Sequence, residues 1–182
     1  MLNRLFRKDV KARRRNLHIR TYTVVSTSER NGLIEWVSNL QAMRAIIIQL
    51  HKENGLYPGT KWTEKYHPHE KASLEEKKKN FQRIMKDLKG PVFSQWFVNN
   101  FSDPQSWMMA RMAYVYSTAV ISMMGYIIGL GDRHLENINV DTTTGETFHV
   151  DLNCLFNKGE ELPIPESIPF RLTSNMVRSN QK

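Results

Sequence analysis

The chain has 182 residues, 40% of them apolar, which is enough to bury a core. Its formal charge is +8, yet residues 1 to 20 alone carry eight cations against Asp9, a net +7, so the rest of the chain is almost neutral. Cys154 is the only cysteine, which excludes an intrachain disulfide and a cysteine-based metal cage and fits a reducing compartment.

In chain order, Leu2, Leu5, Phe6, Val10 and Leu17 follow helical spacing. They predict one amphipathic helix whose cationic face is solvated or docks on an acidic neighbour. Phe6 is the one aromatic residue among its arginines, which argues against direct nucleic-acid contact. Nor does the charged start contain an apolar run long enough for a secretory signal. Thr21 to Ser26 and Leu33 to Val37 predict two short strands joined by the polar turn around Ser28 to Gly32. Ala42 to Lys52 predicts a helix that Asn54-Gly55 stops.

Residues 55 to 69 read as a loop, where His67 and His69 lack a third ligand and count as surface residues. Glu70 to Lys89 predicts a charged helix with Leu74, Phe81, Ile84, Met85 and Leu88 inside and Lys77-Lys78-Lys79 outside. Pro91 and Pro104 mark two helix entrances. Met112 to Gly131 holds no charge over twenty residues, the length of a membrane span. Its scattered Tyr, Ser and Thr, and its opening into Asp132-Arg133-His134, predict instead a buried central helix, apolar on all sides.

The chemistry concentrates after that helix. Asp132 and Asn137 stand five apart, the Asp-to-Asn spacing of a phosphotransferase catalytic loop. Ile138 to Val140 predicts a strand, Asp141 to Gly145 a turn and Thr147 to Val150 a returning strand. Antiparallel pairing would bring Asn137 and Asp151 to one end of this hairpin, where a single Mg²⁺ could touch both and take the rest of its shell from water and phosphates.

The run Gly129-Leu130-Gly131-Asp132-Arg133-His134-Leu135-Glu136-Asn137-Ile138 resembles the catalytic loop of the phosphatidylinositol-3-kinase-like protein kinases. In that family Asp-Arg-His replaces the His-Arg-Asp order of ordinary protein kinases. Val150 to Gly159 and Ile168 to Met176 resemble its activation segment, while Leu17 to Tyr22 and Gly32 to Val37 match upstream. The resemblance covers nearly the whole chain. It implies an α+β, protein-kinase-like catalytic domain cut at both ends: residues 1–37 a partial N-lobe ending in the hinge, residues 38–182 a partial, mainly helical C-lobe with catalytic loop 129–138 and activation segment 151–177.

The same resemblance implies roles. Asp132 would orient or deprotonate the acceptor hydroxyl, and His134 would stabilise charge on the transferring group. Asn137 and Asp151 would hold Mg²⁺, or Mn²⁺. Glu35, Trp36 and Val37 would form the hinge against the adenine of ATP, with Asn139 and Val150 further along the pocket. Arg133 is expected to pair with a carboxylate and brace the loop.

Two positions depart from the family. Leu152 stands where such kinases place Phe, and Asn139 stands at an apolar floor position, where an unpartnered amide costs about 1 to 3 kcal/mol. The phosphate-binding lysine, its acidic partner and the phosphate-covering loop have no counterpart, since neither Lys8 nor Lys11 has the right context. A fragment without activity of its own is therefore expected, cut from a nuclear Ser/Thr kinase of DNA-damage checkpoint signalling with protein substrates and regulatory partner proteins. Two rivals remain: a non-catalytic truncated product or partial gene model, and a phosphoinositide lipid kinase. Against the lipid kinase, the segment after Asp151 has only Lys158 and Arg171 against Glu160, Glu161 and Glu166, a poor host for an anionic headgroup.

Overall fold

The computed structural model describes residues 1–56, 72–87, 90–163, 165–166 and 168–178. Its framework is a three-stranded antiparallel sheet, β3 (Leu40–Ala42), β4 (Ile138–Asp141) and β5 (Thr147–His149), with helices packed against it. The strand β4 lies in the middle and is buried along its whole length. Sequence periodicity identified β4 and β5 but not β3, which runs straight into helix α3 with no turn residue between them.

Helix α3 (Met43–Glu53) follows β3 directly and ends at Asn54, with Gly55 at φ +64° closing it as Asn54-Gly55 implies. Met43, Ile46 and Leu50 then meet Ile138 and Val140 of β4. On this face also lie helices α5 (Phe93–Asn100) and α6 (Pro104–Ile128), whose aromatic side chains fill the core. Phe93, Phe97 and Tyr114 form a triangle of tilted rings with centroids 5.3 to 5.5 Å apart, the edge-to-face arrangement that ring quadrupoles favour. Val92, at the start of α5, gives its helix no side-chain cap. Asn175, in the short helix α7 (Ser174–Arg178), supplies one: its Oδ1 accepts from the main-chain N–H groups of Val92 (2.8 Å) and Phe93 (3.2 Å).

Pro104 occupies the first turn of α6, and Asp103 caps it by accepting from Gln105 and Ser106. At the far end Gly129 turns left-handed (φ 59°), and the amides of Gly129 and Leu130 return to the carbonyls of Tyr126 and Gly125. A side chain at Gly129 would put its Cβ 2.3 Å from Asn157 Oδ1, so glycine is required twice over. The helix begins eight residues before the uncharged stretch, and its burial differs from the expectation. Only the stripe Ala110, Tyr114, Thr118, Ile121 and Gly125 is buried, whereas Met108, Met109, Met123 and Ile127 are exposed. One helix face suffices because the core lies on one side. No helix among the described residues is long and apolar enough to cross a membrane.

The N-terminal segment is two helices rather than one. Asp9 is extended (φ −77°, ψ 125°) and its side chain accepts from Ala12 N, so a cap interrupts the helical pattern between α1 (Leu2–Lys8) and α2 (Val10–Arg14). Leu5 and Val10 are exposed, and Ala12 is the buried contact. The strands β1 (Val24–Ser26) and β2 (Gly32–Ile34) form a separate hairpin, shorter than the sequence implied, with every residue exposed.

Helix α4 (Leu74–Asp87) is also a correction. Its apolar face exists, but Leu74 and Phe81 are 68% and 61% exposed and none of its described side chains is buried. Periodicity reports an amphipathic helix; it does not report whether a partner covers it. Residues 57–71, with His67 and His69, and Leu88 lie outside the described residues.

The hairpin β4–β5 is tied to the N-terminal segment by a partly buried ion pair. Arg20 meets the Asp141 carboxylate and packs over the Phe148 ring. The other Asp141 oxygen accepts from Thr143 N, Thr143 Oγ1 and Thr144 N and so shapes the turn. Burial alone would raise this carboxyl, but the bonds from Arg20, Thr143 and Thr144 outweigh it and hold it at about 2.

Asp141 should therefore contribute stability in full above its unfolded value of about 3.9 and lose it as pH falls toward 2. Urea midpoints measured from pH 5 to 2 should fall steeply in wild type and less in Asp141→Asn, although the variant is weaker at neutral pH. Phe97→Ala should cost about 3 to 5 kcal/mol, whereas Phe81→Ala on the open face of α4 should stay within about 0.5 kcal/mol.

Candidate active site

The site is built where the hairpin closes. Ile138 pairs with His149, and one step beyond the strands Val150 N donates to Asn137 O at 3.1 Å. Asn137 and Asp151 consequently emerge at the same end of the hairpin, as the spacing implied. Asn137 is buried and its Nδ2 donates to Asp132 O at 2.9 Å, with Asp132 Oδ2 at 3.5 Å. The nitrogen being engaged, Oδ1 is the amide atom left for a cation.

Arg133 holds the two halves together. Nε donates to Gly131 O and Nη1 to Val150 O, each at 2.8 Å, and Nη2 donates to Asp151 O. The expected brace is present, but its partners are three main-chain carbonyls rather than a carboxylate. Burial lowers the guanidinium from its ordinary value, and the nearby charges of Asp132, Asp151 and Glu166 oppose that shift.

Both predicted carboxylates sit in the left-handed region, Asp132 at φ 57° and Asp151 at φ 54°. Non-glycine residues rarely adopt it, and such conformations persist where surrounding bonds enforce them. Asp132 and His134 face outward with side chains 38% and 48% exposed, and His134 Nε2 lies 3.9 Å from Asp132 Oδ1. Because His134 Nδ1 accepts from Glu136 N at 3.3 Å, a neutral ring carries its proton on Nε2, toward Asp132.

Beside these groups opens a cavity of about 690 Å³, within the range of small-molecule sites. Glu35, Trp36, Val37, Asn139, Val150 and Asp151 all line it, as does Leu152. Trp36 is 89% exposed and offers a bare ring face. Glu35 is largely engaged with Thr23: its carboxylate Oε2 accepts from Thr23 N, the bond that lowers its pKa, and its main-chain N–H donates to Thr23 O at 2.9 Å, which leaves the main-chain carbonyl as its backbone group open to a ligand. Asn139 is buried on β4 between Ala42 and Phe148, with its residue on the cavity wall.

The sequence reading missed Tyr22 and Phe148, whose rings stand 5.8 Å apart on the same wall. Phe148 was legible in part, since it alternates with His149 on a strand; Tyr22 was not, because it reaches the cavity from a distant loop. No Lys or Arg is among the residues described on this wall.

The family sequence model for phosphatidylinositol 3- and 4-kinase matches residues 1–181. The chain belongs to that family. Among related proteins, the Drosophila melanogaster serine/threonine-protein kinase ATR is 44% identical over 177 residues, covering 97% of this chain and 7% of its own. The Candida albicans serine/threonine-protein kinase MEC1 is 44% identical over 186 residues, covering 97% and 8%. The solved structure of the FAT and kinase domain of CtTel1 superposes with a TM-score of 0.89 at 36% identity, covering 98% of this chain and 13% of that one. The chain thus spans less than a tenth of the length of these two curated relatives, and it has the kinase-like α+β fold.

His149 provides a check on how tightly the family's hairpin is closed. Burial pushes its imidazole down to about 4, the charge of Arg133 adds to this, and its Nδ1 has no partner among the described residues. A histidine held neutral stabilises the fold above its unfolded value of about 6.5 and loses that contribution as pH falls toward 4. Thermal melts from pH 7 to 4 should show a slope that His149→Phe reduces, a window separate from that of Asp141.

Proposed function

We propose that this chain is the nucleotide- and metal-binding part of a serine/threonine protein kinase of the ATR and MEC1 type, acting on protein hydroxyls in DNA-damage checkpoint signalling in the nucleus. Residues 1–37 form the end of its N-lobe through the hinge, and residues 38–182 form part of its C-lobe. The observation that carries the reading is the single cavity wall that unites Trp36, Asn139, Val150 and Asp151 beside the loop bearing Asp132 and Asn137.

The residues fit the implied groups. Asn137 Oδ1 and the Asp151 carboxylate are hard oxygen donors of the kind Mg²⁺ or Mn²⁺ takes while keeping other positions for water and phosphate. When bound, Mg-ATP supplies the phosphoryl group and the charge that neutralises it. Trp36 would pack on the adenine ring, and the Glu35 carbonyl and Val37 main chain would hold its edge, the Glu35 N–H being engaged by Thr23 O. The Asp132 carboxylate, partly exposed and met by Asn137 Nδ2 only at 3.5 Å, accepts the proton of the attacking serine or threonine hydroxyl. His134 places its Nε2 proton near that carboxylate and the transferred group, where it offsets developing negative charge.

Protein rather than lipid is the acceptor, because the described part of the activation segment is acidic: Glu160, Glu161 and Glu166 outnumber Lys158 and Arg171. Regulatory partner proteins belong to the longer enzyme. The cavity wall described here carries no cation for the nucleotide phosphates, which favours weak ATP binding and no transfer by residues 1–182 alone.

Titration of residues 1–182 with Mn-ATP should quench tryptophan fluorescence, and Trp36→Ala should abolish the change. Asp151→Ala should weaken Mn²⁺ binding by at least about tenfold, since losing even an outer-shell partner of a metal ligand costs about 10- to 100-fold. Unaltered Mn²⁺ affinity in Asp151→Ala would refute the metal assignment. Transfer of phosphate to a Ser-Gln peptide by residues 1–182 would refute the inactivity of the fragment, and transfer to phosphatidylinositol vesicles would favour a lipid kinase.

A further inference from the structure

The catalytic loop is gripped from outside by the activation segment. Glu166 Oε2 accepts from the main-chain N–H of Asp132 at 2.8 Å. One residue further, Arg171 Nη1 donates to Arg133 O at 3.3 Å. The slot that receives the Glu166 carboxylate is made by two glycines packed back to back. A Cβ at Gly159 would lie 2.4 Å from Glu166 Oε2, and a Cβ at Gly131 would lie 2.7 Å from it and 2.9 Å from the Gly159 Cα. Glu166 is itself fixed by its own N–H, which donates to Gly159 O at 3.0 Å, and Gly131 by its N–H to Cys154 O at 2.8 Å.

We propose that Glu166 is a positioning residue: its carboxylate holds the Asp132 main chain in the left-handed conformation from which the Asp132 side chain and, through Asp132 O, the Asn137 amide are aimed at the phosphoryl site. This rests on the metal and base assignments above. The physical argument has three parts. Asp132 at φ 57° needs an external restraint, since the conformation is unfavourable for a side-chain-bearing residue. A charged acceptor on its N–H is a stronger restraint than a neutral one. The Asp132 carbonyl, at the other end of the same residue, receives the Asn137 Nδ2 that orients Oδ1. Loosening the Asp132 main chain therefore loosens a metal ligand without touching it. Since Glu166 belongs to the activation segment, movement of that segment would be felt at Asp132 directly.

The test uses residues 1–182 with two readouts, hydrogen exchange at the Asp132 amide by NMR and Mn²⁺ affinity by electron paramagnetic resonance. Glu166→Ala should speed exchange at Asp132 about tenfold or more, the loss expected for a hydrogen bond to a charged group, and should weaken Mn²⁺ binding. Glu166→Gln keeps an oxygen acceptor but loses the charge, and should fall between Glu166→Ala and wild type in both readouts. Gly159→Ala, which places a methyl group in the slot and leaves Glu166 intact, should reproduce Glu166→Ala, so the result does not hang on one variant folding. Unchanged exchange at Asp132 in Glu166→Ala, or equally fast exchange in Glu166→Gln, overturns the proposal. Faster exchange with unchanged Mn²⁺ affinity overturns the positioning role. A wild-type chain that binds no Mn²⁺ overturns the metal assignment instead, and exchange at Asp132 still decides whether the clamp exists.

Discussion

Arg133 directs its guanidinium at main-chain carbonyls alone, Gly131 O on one side and Val150 O and Asp151 O on the other. A buried cation is costly unless its donors are satisfied, and hydrogen bonds to a charged group contribute about 1.5 to 3 kcal/mol each. This planar fork joins two segments separated by seventeen residues of chain, the loop that carries Asp132 and the hairpin exit that carries Asp151. With the two ends fixed in one body, the left-handed conformations at Asp132 and Asp151 are held by bonds rather than by intrinsic preference. A lysine offers a point charge and could not reach three carbonyls in one plane.

The rest of the fold works outward from that junction. At its opposite end the hairpin is held by Arg20 and the Asp141-centred turn, and its strand β4 is sandwiched between β3 and β5 with α3 and the aromatic triangle beneath. Asn175 ties the end of the proposed activation segment to the start of α5, so that stretch is anchored on the same core that supports the hairpin. A site assembled in this way aims charged groups with little reorganisation, which is what a reaction dependent on electrostatic stabilisation requires. The side that carries the cavity is more open. Trp36 and the β1–β2 hairpin present apolar surface to solvent, and the same is true of α4.

Local signals in the sequence were reliable where local physics decides. The turn at Asp141 to Gly145, the stop at Asn54-Gly55 and the entrance at Pro104 each follow from the conformational preferences of single residues. The convergence of Asn137 and Asp151 follows from strand pairing alone. What was not legible depends on partners distant in sequence. Asp9 breaks a helix that periodicity joined, because a cap competes with the pattern. Arg133 resembled a partner for a carboxylate, but only the folded hairpin shows which carbonyls come within reach. The carboxylate beneath Asp132 N comes from thirty-four residues away, and no spacing rule predicts it. The openness of α4 was illegible for the opposite reason, since a hydrophobic stripe is the same whether it is covered or bare.

The central claim is that closing the β4–β5 hairpin creates one metal position shared by Asn137 and Asp151 beside a nucleotide pocket walled by Trp36. Anomalous diffraction from crystals of residues 1–182 soaked with Mn²⁺ and a non-hydrolysable ATP analogue tests it most directly. The account predicts a manganese peak at a coordination distance of about 2.1 to 2.3 Å from both Asn137 Oδ1 and an Asp151 carboxylate oxygen, with the base stacked on Trp36. A peak bound by neither residue, or a nucleotide seated away from Trp36, would contradict it.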